Sequence, residues 1–336
     1  MNFILDNRSG KKKYDCPNCH HKKKFTRYVH PETFEELNDD VGKCDRIEKC
    51  NYHYHYSEYF KNNPNIDKSA YISNKPTTFI VKETSFINKK YFEASVKLNS
   101  GKYNNFHVFL IRSFGKYIAD NLIKRYRVGN SSHWNNTGAN VFWLVDIDQK
   151  IRSGKIMLYD SIKGKRNKVF NWVHILLKKK GLIPGEFNLK QCFFGEHILM
   201  YEPNEPIAIV ESEKTAMICY LFHPDFIWLA CGSANGLNIE KCKVLKGRKV
   251  VLFPDVSQYK YWKLKADEIH QALGLNISVD DFLEKRVPEA FKKDFSDLAD
   301  FYLKDKNELG EVMFDDVQTM REYLMNNCGE WEDSAQ

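Results

Sequence analysis

IAIVESEKTAMICYLFHPDFIWLACGSANGLNIEKCKVLKGRKVVLFPD, residues 207–255, is the stretch that decides the fold of the C-terminal half of the chain. Three short apolar runs, IAIV, FIWLAC and KVVLF, are separated by segments that include the helical pattern SEKTAMICYLF. Apolar strands that alternate with helices predict a parallel sheet covered on both faces. The alternation continues, because YKYWKLKADEIHQALG (259–274) predicts a helix and LNISVDDFL predicts a fourth strand.

Acidic residues and a glycine follow the predicted strands. Glu211 ends the first strand, Gly232 follows the second, and Asp255 ends the third. In an open α/β sheet, ligands bind beyond the carboxyl ends of the strands. Carboxylate oxygens suit Mg²⁺ or Mn²⁺, and a glycine lets the backbone approach such a site closely. The sequence therefore predicts a divalent metal site at Glu211 and Asp255, although acids at strand ends can also serve solubility alone.

The segment before this half is rich in aromatic residues and mixes helical and strand patterns. IRSFGKYIADNLIKRY (111–126) predicts an amphipathic helix. VFWLVDID and KIMLYDSIKGKR predict two strands, each followed by a turn, and FNWVHILLKKKG (170–181) predicts a helix that ends near Gly181. The segment is therefore predicted to be a mixed α+β subdomain.

The first fifty residues contain two pairs of cysteines. Cys16 and Cys19 form a CxxC knuckle, and Cys44 and Cys50 form a wider second pair. Four thiolates would complete a closed, structural zinc site in a small β-ribbon, a segment with few other means of staying folded. Two alternatives remain open at this point: four unrelated thiols, or His53 in place of Cys44 or Cys50.

Basic residues surround the knuckle. Lys22, Lys23, Lys24 and Arg27 are interleaved with or close to aromatic residues, a combination that suits single-stranded nucleic acid. The alternative is a solvated basic face with aromatic residues in the core.

Composition narrows the class of protein. The 336 residues carry a net charge of +7, which permits a polyanion partner, and 43% hydrophobic residues, which is ordinary for a globular chain of two or three domains. No apolar run is long enough for a transmembrane helix, and the N-terminus lacks a signal-peptide pattern. Nine cysteines without an export signal predict reduced thiols and a cytoplasmic protein that does not use a membrane.

The motifs together resemble a known family. IAIVESEKTAMI, WLACGSANGL and VVLFPDVSQYKYWKLKA are similar to the toprim domain of primases and topoisomerases. VFWLVDIDQKIRSGKIMLYDSIKGKR and LKQCFFGEHIL resemble segments of the bacterial primase core, and the Cys-rich N-terminus resembles the primase zinc ribbon. The order of the three parts is that of primases. The resemblance is closest to small zinc-ribbon/toprim proteins of bacterial mobile elements, a domain-of-unknown-function family.

The resemblance implies roles for further residues. Lys155 and Arg166 would contact template phosphates or a nucleotide, although a lysine-rich hairpin is usually a solvated turn, and Lys190 would lie near the site. The chain departs from the family where toprim proteins carry Asp-x-Asp, because Ser257 replaces the second acid. Asp267 and Asp297 are the candidates for a compensating carboxylate, and Asp297 lies where toprim proteins often carry a further acid.

The predicted organisation follows from these parts. The boundaries are a zinc ribbon at 1–60, a linker at 61–78, a primase-like α+β core at 79–204, a toprim-like α/β domain at 205–305 and an acidic tail at 306–336.

Three hypotheses for function follow from the resemblance. The first is a primase-like nucleotidyltransferase that uses single-stranded DNA, nucleotides, structural Zn²⁺ and catalytic Mg²⁺ or Mn²⁺ in replication or mobile-element transfer, beside a separate helicase or mobilisation protein. The second is a nucleic-acid-binding module with an inert metal site. The third, which the zinc ribbon and primase-like core argue against, is a toprim nuclease.

Overall fold

The structure is a computed structural model that divides into two compact units, Met1–Val81 and Lys82–Gln336. It describes residues 3–6, 12–31, 33–46, 49–66, 83–97, 103–136, 138–286 and 297–303. Residues 67–78 of the predicted linker and the predicted acidic tail at 306–336 lie outside the described residues. Each unit is described by itself below.

The first unit is a small antiparallel ribbon. Its elements are β1 (Ile4–Leu5), β2 (Phe25–Val29), β3 (Gly42–Cys44), β4 (His53–Tyr54) and α1 (Tyr56–Asn62). The strands pair in the order β1-β2-β3-β4. One small apolar cluster contains Phe3, Tyr28 and Phe60, and a second contains Phe25 beside the cysteines. Both clusters are small, which agrees with the expectation that this segment needs help to stay folded.

The second unit begins with helices and an antiparallel sheet. Its first elements are α2 (Lys89–Val96), α3 (Asn105–Phe114), α4 (Lys116–Arg125), β5 (Gly129–Ser131), α5 (His133–Asn136), β6 (Ala139–Val145), β7 (Ile151–Tyr159), β8 (Arg166–Trp172) and α6 (Val173–Lys179). The sheet order is β5-β6-β7-β8, with every pair antiparallel. This part is the predicted mixed α+β core.

A parallel sheet follows. Its elements are β9 (Ile207–Val210), α7 (Glu213–Phe222), β10 (Ile227–Ala230), α8 (Ile239–Cys242), β11 (Lys249–Leu252), α9 (Tyr259–Leu273), β12 (Asn276–Val279), α10 (Phe282–Arg286) and α11 (Leu298–Leu303). The strands pair in parallel in the order β10-β9-β11-β12. The predicted parallel α/β sheet, including its fourth strand, is confirmed.

One apolar cluster joins the two sheets of the second unit. Phe142 and Met157 of the antiparallel sheet belong to the same cluster as Trp228 of the parallel sheet. The buried Tyr126 hydroxyl donates to the backbone oxygen of Trp228 at 3.2 Å. Phe194 forms a β-bridge with Ala230, which holds the segment around Lys190 against β10. The predicted boundary at residue 204 lies inside this unit and stays a prediction.

Two local predictions differ from the structure. The helix predicted over 111–126 is two helices, because Gly115 has a φ of +84° between α3 and α4. Residues 170–172, predicted to begin a helix, extend β8 instead, since Phe170 and Trp172 pair with Met157 and Lys155 of β7. Strand pairing across the chain overrides the local helical pattern there.

In the part of the chain that the structure describes, no helix combines the length and apolarity needed to span a bilayer.

Candidate functional site

Four cysteine sulfurs of the first unit lie close enough to share one metal ion. The Sγ atoms of Cys16, Cys19, Cys44 and Cys50 all lie within 4.8 Å of one another. The Cys16–Cys50 and Cys19–Cys44 separations are 3.7 and 4.0 Å. A tetrahedron with Zn–S bonds of about 2.3 Å has sulfur separations of about 3.8 Å. The donor set therefore fits structural zinc, as the sequence predicts.

The ribbon strands bring the second cysteine pair to the knuckle. Cys44 pairs with Phe25 across β2 and β3, and Phe25 is fully buried beside the thiols. The backbone N–H of His21 lowers the pKa of Cys19 to about 6, which favours the thiolate that a metal binds. His53 has another partner, since its Nε2 lies 2.9 Å from the Tyr28 hydroxyl. The alternative ligand considered from sequence is therefore not part of the cluster.

The basic residues of the ribbon fall into two environments. Lys22, Lys23 and Lys24 are exposed on the knuckle. Arg27 instead forms ion pairs with Glu36 at 2.6 Å and Asp39 at 2.8 Å, and its guanidinium lies over the Tyr14 ring. The three lysine side chains are exposed and accessible to a polyanion, whereas the guanidinium of Arg27 is already paired with carboxylates. A nucleic-acid contact by any of them stays a prediction.

The carboxyl edge of the parallel sheet collects the predicted acids of the second unit. Glu211 follows β9 and Asp255 lies three residues after β11, and these two strands are neighbours in the sheet. Gly232 follows β10 with a φ of +84°, and its N–H donates to the backbone oxygen of Glu211 at 2.9 Å. Parallel register therefore places the three strand ends side by side, as the sequence predicts.

Asp255 is a strongly perturbed carboxyl group at this edge. Burial, together with the nearby charges of Asp297, Glu211 and Asp300, raises the pKa of Asp255 to about 8, and Arg166 offsets part of the rise. Burial also raises the pKa of Glu211, with Arg166 and Lys155 acting in the opposite direction. Crowded, half-buried carboxyl groups of this kind are typical of functional sites.

The segment at the start of helix α11 brings a further acid close to Asp255, although a role for it in compensating for Ser257 stays a prediction. Asp297, just before α11, is buried, accepts a hydrogen bond from the Thr215 hydroxyl at 2.7 Å, and acts on the charge of Asp255. Asp300 lies one turn further on, 3.6 Å from Lys214. The sequence analysis overlooked Asp300, although its spacing of three residues from Asp297 on a helix was a usable signal.

The other accessory candidates lie away from this group. Asp267 is on α9, where it is about half exposed and pairs with Lys263 at 3.4 Å. Ser257 is exposed with a φ of +68°, and its N–H donates to the Glu284 carboxylate at 3.1 Å. Of the two compensating acids considered from sequence, the structure brings Asp297 to Asp255 and leaves Asp267 elsewhere.

A buried ion pair stands beside the strand-end acids. Lys155 of β7 donates to both carboxylate oxygens of Glu213, at 3.0 and 3.3 Å, and to the backbone oxygen of Gly232 at 3.2 Å. The side chains of Lys155 and Glu213 are only 7% and 4% exposed. Lys155 thus lies inside the site rather than on an open surface. The sequence analysis did not identify Glu213 as a site residue. The one signal in the sequence was its position two residues after Glu211.

We expect the substitution Lys155→Met to lower the free energy of unfolding of the second unit by about 3–5 kcal/mol, because it leaves Glu213 buried without its cation. All six tryptophans follow residue 81, so urea unfolding monitored by tryptophan fluorescence reports on this unit. The double variant Lys155→Met/Glu213→Leu should recover much of the loss. A single variant as stable as wild type would contradict the buried pair.

The pKa of Asp255 predicts a pH dependence of stability. An acid whose folded pKa is raised to about 8 holds a proton in the folded state that the unfolded chain has lost. Its contribution to stability therefore falls as pH rises from about 4 to about 8, by about 1.4 kcal/mol per pH unit. Without added Mg²⁺, Asp255→Asn should gain stability relative to wild type between pH 5 and pH 8, whereas Asp267→Asn should not. An equal difference at both pH values would contradict this expectation.

A cleft in the second unit has a volume of about 180 Å³, and its walls include Arg152, Lys190, Lys241 and Glu196. Lys241 is 8% exposed and donates to the backbone oxygen of Cys231 at 3.0 Å, one residue before the glycine that Lys155 contacts. Burial raises the pKa of Glu196 to about 7, although the backbone N–H groups of Phe193 and Ile147 donate to it. The exposed Lys190 lines this cleft, and its role at the acidic site stays a prediction.

Comparisons of sequence cover both units. Residues 104–256 match the family model described as “Domain of unknown function (DUF6371)”. Residues 1–65 match the model described as “Zinc beta-ribbon finger, putative”. No curated protein matches the sequence.

Comparisons of structure find similarity to solved structures of primases. The primase fragment of the bacteriophage T7 primase-helicase protein is 13% identical, with a TM-score of 0.40 over 95% of this chain and 99% of that chain. The RNA polymerase domain of Mycobacterium tuberculosis primase DnaG is 11% identical, with a TM-score of 0.38 over 72% of this chain and 96% of that chain. The zinc-binding and RNA polymerase domains of Aquifex aeolicus primase are 12% identical, with a TM-score of 0.36 over 98% of this chain and 85% of that chain. The chain thus contains a match to a zinc-ribbon model followed by a match to the DUF6371 model. Its structure is similar to those of bacterial and phage primases, as the sequence motifs predict.

Proposed function

We propose that the chain is a primase-like nucleotidyltransferase that joins nucleotides on a single-stranded DNA template. The observation that carries this proposal is the convergence of Glu211, Asp255 and Asp297 at the carboxyl edge of the parallel sheet. The three acids come from separate elements. The charges of Asp297 and Glu211 raise the pKa of Asp255, and the charge of Asp297 raises the pKa of Glu211. Such crowding opposes the ionisation of the acids, and a bound cation would relieve it.

The donor chemistry of this edge fits a hard divalent cation. Glu211 and Asp255 would hold Mg²⁺ or Mn²⁺, with Asp297 supplying the carboxylate that Ser257 does not. When bound, the ion neutralises nucleotide phosphates and orients the attacking hydroxyl. Lys155 fixes Glu213 and the backbone of Gly232 next to these acids, which keeps the strand ends in place as substrate enters.

The cleft that Lys241 lines would take the polyphosphate of a nucleotide. Arg152, Lys190, Lys241 and Lys243 line it. Lys241 is held by the backbone of Cys231, so this cation is positioned before a ligand arrives. A preorganised cation binds phosphate at a smaller entropic cost than a mobile surface lysine.

The zinc ribbon would engage the template. Zinc would hold Cys16 and Cys44 with the buried Phe25, and so fix the knuckle that presents Lys22, Lys23 and Lys24. Their cations would bind the phosphates of single-stranded DNA without regard to sequence. A separate replicative helicase or mobilisation protein remains the proposed protein partner, with cytoplasmic replication or mobile-element transfer as the setting.

A second candidate function is a nucleic-acid-binding module without catalysis. The observation that favours it is the turn at Ser257, which replaces an acid of the family pattern and is exposed. The backbone N–H of Ser257 donates to the carboxylate of Glu284. The position at which the family carries its second acid is therefore already bonded to the carboxylate of another segment. In this alternative the zinc ribbon binds DNA and the acidic edge no longer supports nucleotide transfer.

The experiment that separates the two uses the purified zinc-loaded full chain with single-stranded DNA and labelled ribonucleotides. It is run with Mg²⁺ and, separately, with Mn²⁺. Short labelled products that need template and divalent metal are expected from the nucleotidyltransferase. Retained DNA binding without product in either metal would overturn the proposed activity and leave the binding module.

A further inference from the structure

Among the described residues, strand β8 forms an edge of the antiparallel sheet. It pairs with β7 on one side, and residues 166–170 are all exposed. Arg166, Phe170 and Trp172 share one face, because they pair with Tyr159, Met157 and Lys155, which alternate along β7. This face therefore carries one cation and two aromatic rings, and Lys168 lies in the irregular stretch between Arg166 and Phe170.

The strand register shows that this face looks towards the acidic site. Phe170 and Trp172 stand opposite Met157 and Lys155 of β7. Met157 belongs to the apolar cluster that joins the two sheets, and Lys155 binds Glu213. The Nζ of Lys155 lies 6.0 Å from the centre of the Phe170 ring.

Arg166 lies at the other end of the same row. Its guanidinium lowers the pKa of both Glu211 and Asp255, so its charge acts on the strand-end acids. The row on β8 therefore runs from a cation near the acids to an aromatic ring near the buried ion pair. Both of its ends lie within the proposed active site.

Phe170 itself is exposed where a core residue would be covered. Its side chain is 54% accessible, whereas Met157 opposite is 1% accessible. Trp172, partly buried against the same cluster, meets the Phe170 ring edge-on, with centroids 6.5 Å apart and planes at 88°. Trp172 packs against one side of the Phe170 ring, and the exposed part of the ring faces solvent. An exposed aromatic ring in a row with cations has the composition of a stacking platform for single-stranded nucleic acid.

We propose that Phe170 stacks on an unpaired base of the bound nucleic acid while Arg166 and Lys168 contact the flanking phosphates. This inference rests on the proposed function, since it places the substrate strand over the same acidic edge. The ring would set the position of a base without reading its identity, because every base presents a π-face. Phe170 is thus a positioning residue for the strand.

An acidic peptide is the other chemistry that a basic, aromatic edge could accept. Val169, which is 49% accessible, is adjacent to Phe170 in β8 and separates these two interpretations. A peptide pairing with the strand edge would contact Val169 as well, whereas base stacking uses the Phe170 ring alone. The position of Phe170 beside Lys155 at the acidic site favours the base.

The test measures binding of two fluorescent single-stranded oligonucleotides of equal length, one ordinary and one abasic, to the zinc-loaded full chain. Phe170→Ala should weaken binding of the ordinary strand about five- to 150-fold and leave the abasic strand unaffected. Phe170→Trp should retain binding of the ordinary strand. Val169→Ala is the matched control, because it removes a similarly exposed apolar side chain next to Phe170 that has no ring to stack, and it should have no effect.

Two outcomes would overturn the inference. Phe170→Ala could match Val169→Ala, or it could weaken both oligonucleotides equally. The test measures binding without nucleotides, whereas the proposed function is tested by labelled product, so that a lack of synthesis and a lack of stacking are distinguishable.

Discussion

Replacement of Glu211 by glutamine is expected to reduce primer synthesis on the order of a thousand-fold in the presence of Mg²⁺. The change keeps the size of the side chain and removes one of the carboxylates at the carboxyl edge of the parallel sheet. An amide oxygen is a weak ligand for a hard cation, so the stabilisation of the nucleotide's phosphates is lost. Stability should not fall, because burial already raises the pKa of Glu211 and disfavours its charge.

The measurement compares initial rates of labelled product formation for wild type and Glu211→Gln at saturating template. Asp267→Asn is the matched control, since it removes an acidic charge from α9, outside the crowded group. Its rate should equal that of wild type. A Glu211→Gln variant as active as wild type would remove the acidic edge from the mechanism, and equal losses in both variants would point to net charge instead.

Loss of zinc should unfold the first unit. In small zinc-binding segments, the metal contributes about 10–16 kcal/mol of apparent binding free energy, which is also folding free energy. Cys16 is 1% exposed and lies in a cluster with Phe25 and Cys44, so Cys16→Ser would leave this core without its metal. We expect the variant to lose bound zinc, to be cut by protease within residues 12–66, and to bind single-stranded DNA weakly.

His53→Gln is the control for this change. His53 lies in the same ribbon and contacts the Tyr28 hydroxyl, but it stands outside the cysteine cluster. Zinc content measured per chain, together with the visible absorption of the cobalt-substituted protein, should match wild type. Zinc retained in Cys16→Ser and lost in His53→Gln would show that the ligand set is different from the four cysteines.

The strands and helices of the parallel sheet were predictable because their patterns are local. IAIV and KVVLF are apolar runs of strand length, and the segment at 259–274 has helical periodicity. Glu211, Gly232 and Asp255 each follow a predicted strand. Because the carboxyl ends of parallel strands lie on the same side, the sequence also predicted that these residues share one edge of the sheet. The helix predicted over 111–126 was wrong at Gly115, where a positive φ interrupts a periodicity that continues on both sides.

The partners of the site residues were not predictable in the same way. Lys155 has the sequence context of a hairpin lysine, and only the packing of β7 against the parallel sheet buries it beside Glu213. Asp297 was one of two candidates, and the docking of α11 on α7 selects it over Asp267. Each choice depends on contacts between segments that are far apart in sequence, which periodicity does not report.

The sequence by itself determined the strands and helices of the parallel sheet, the four candidate cysteines and the strand-end acids, because each depends on spacing within a few residues. The tertiary structure alone decided which charges are buried, which acids are crowded together and which face of β8 carries Phe170 towards the site. The physical reason is that burial and charge coupling depend on the approach of whole elements. That approach is set by the shared apolar cluster of the two sheets rather than by any local pattern.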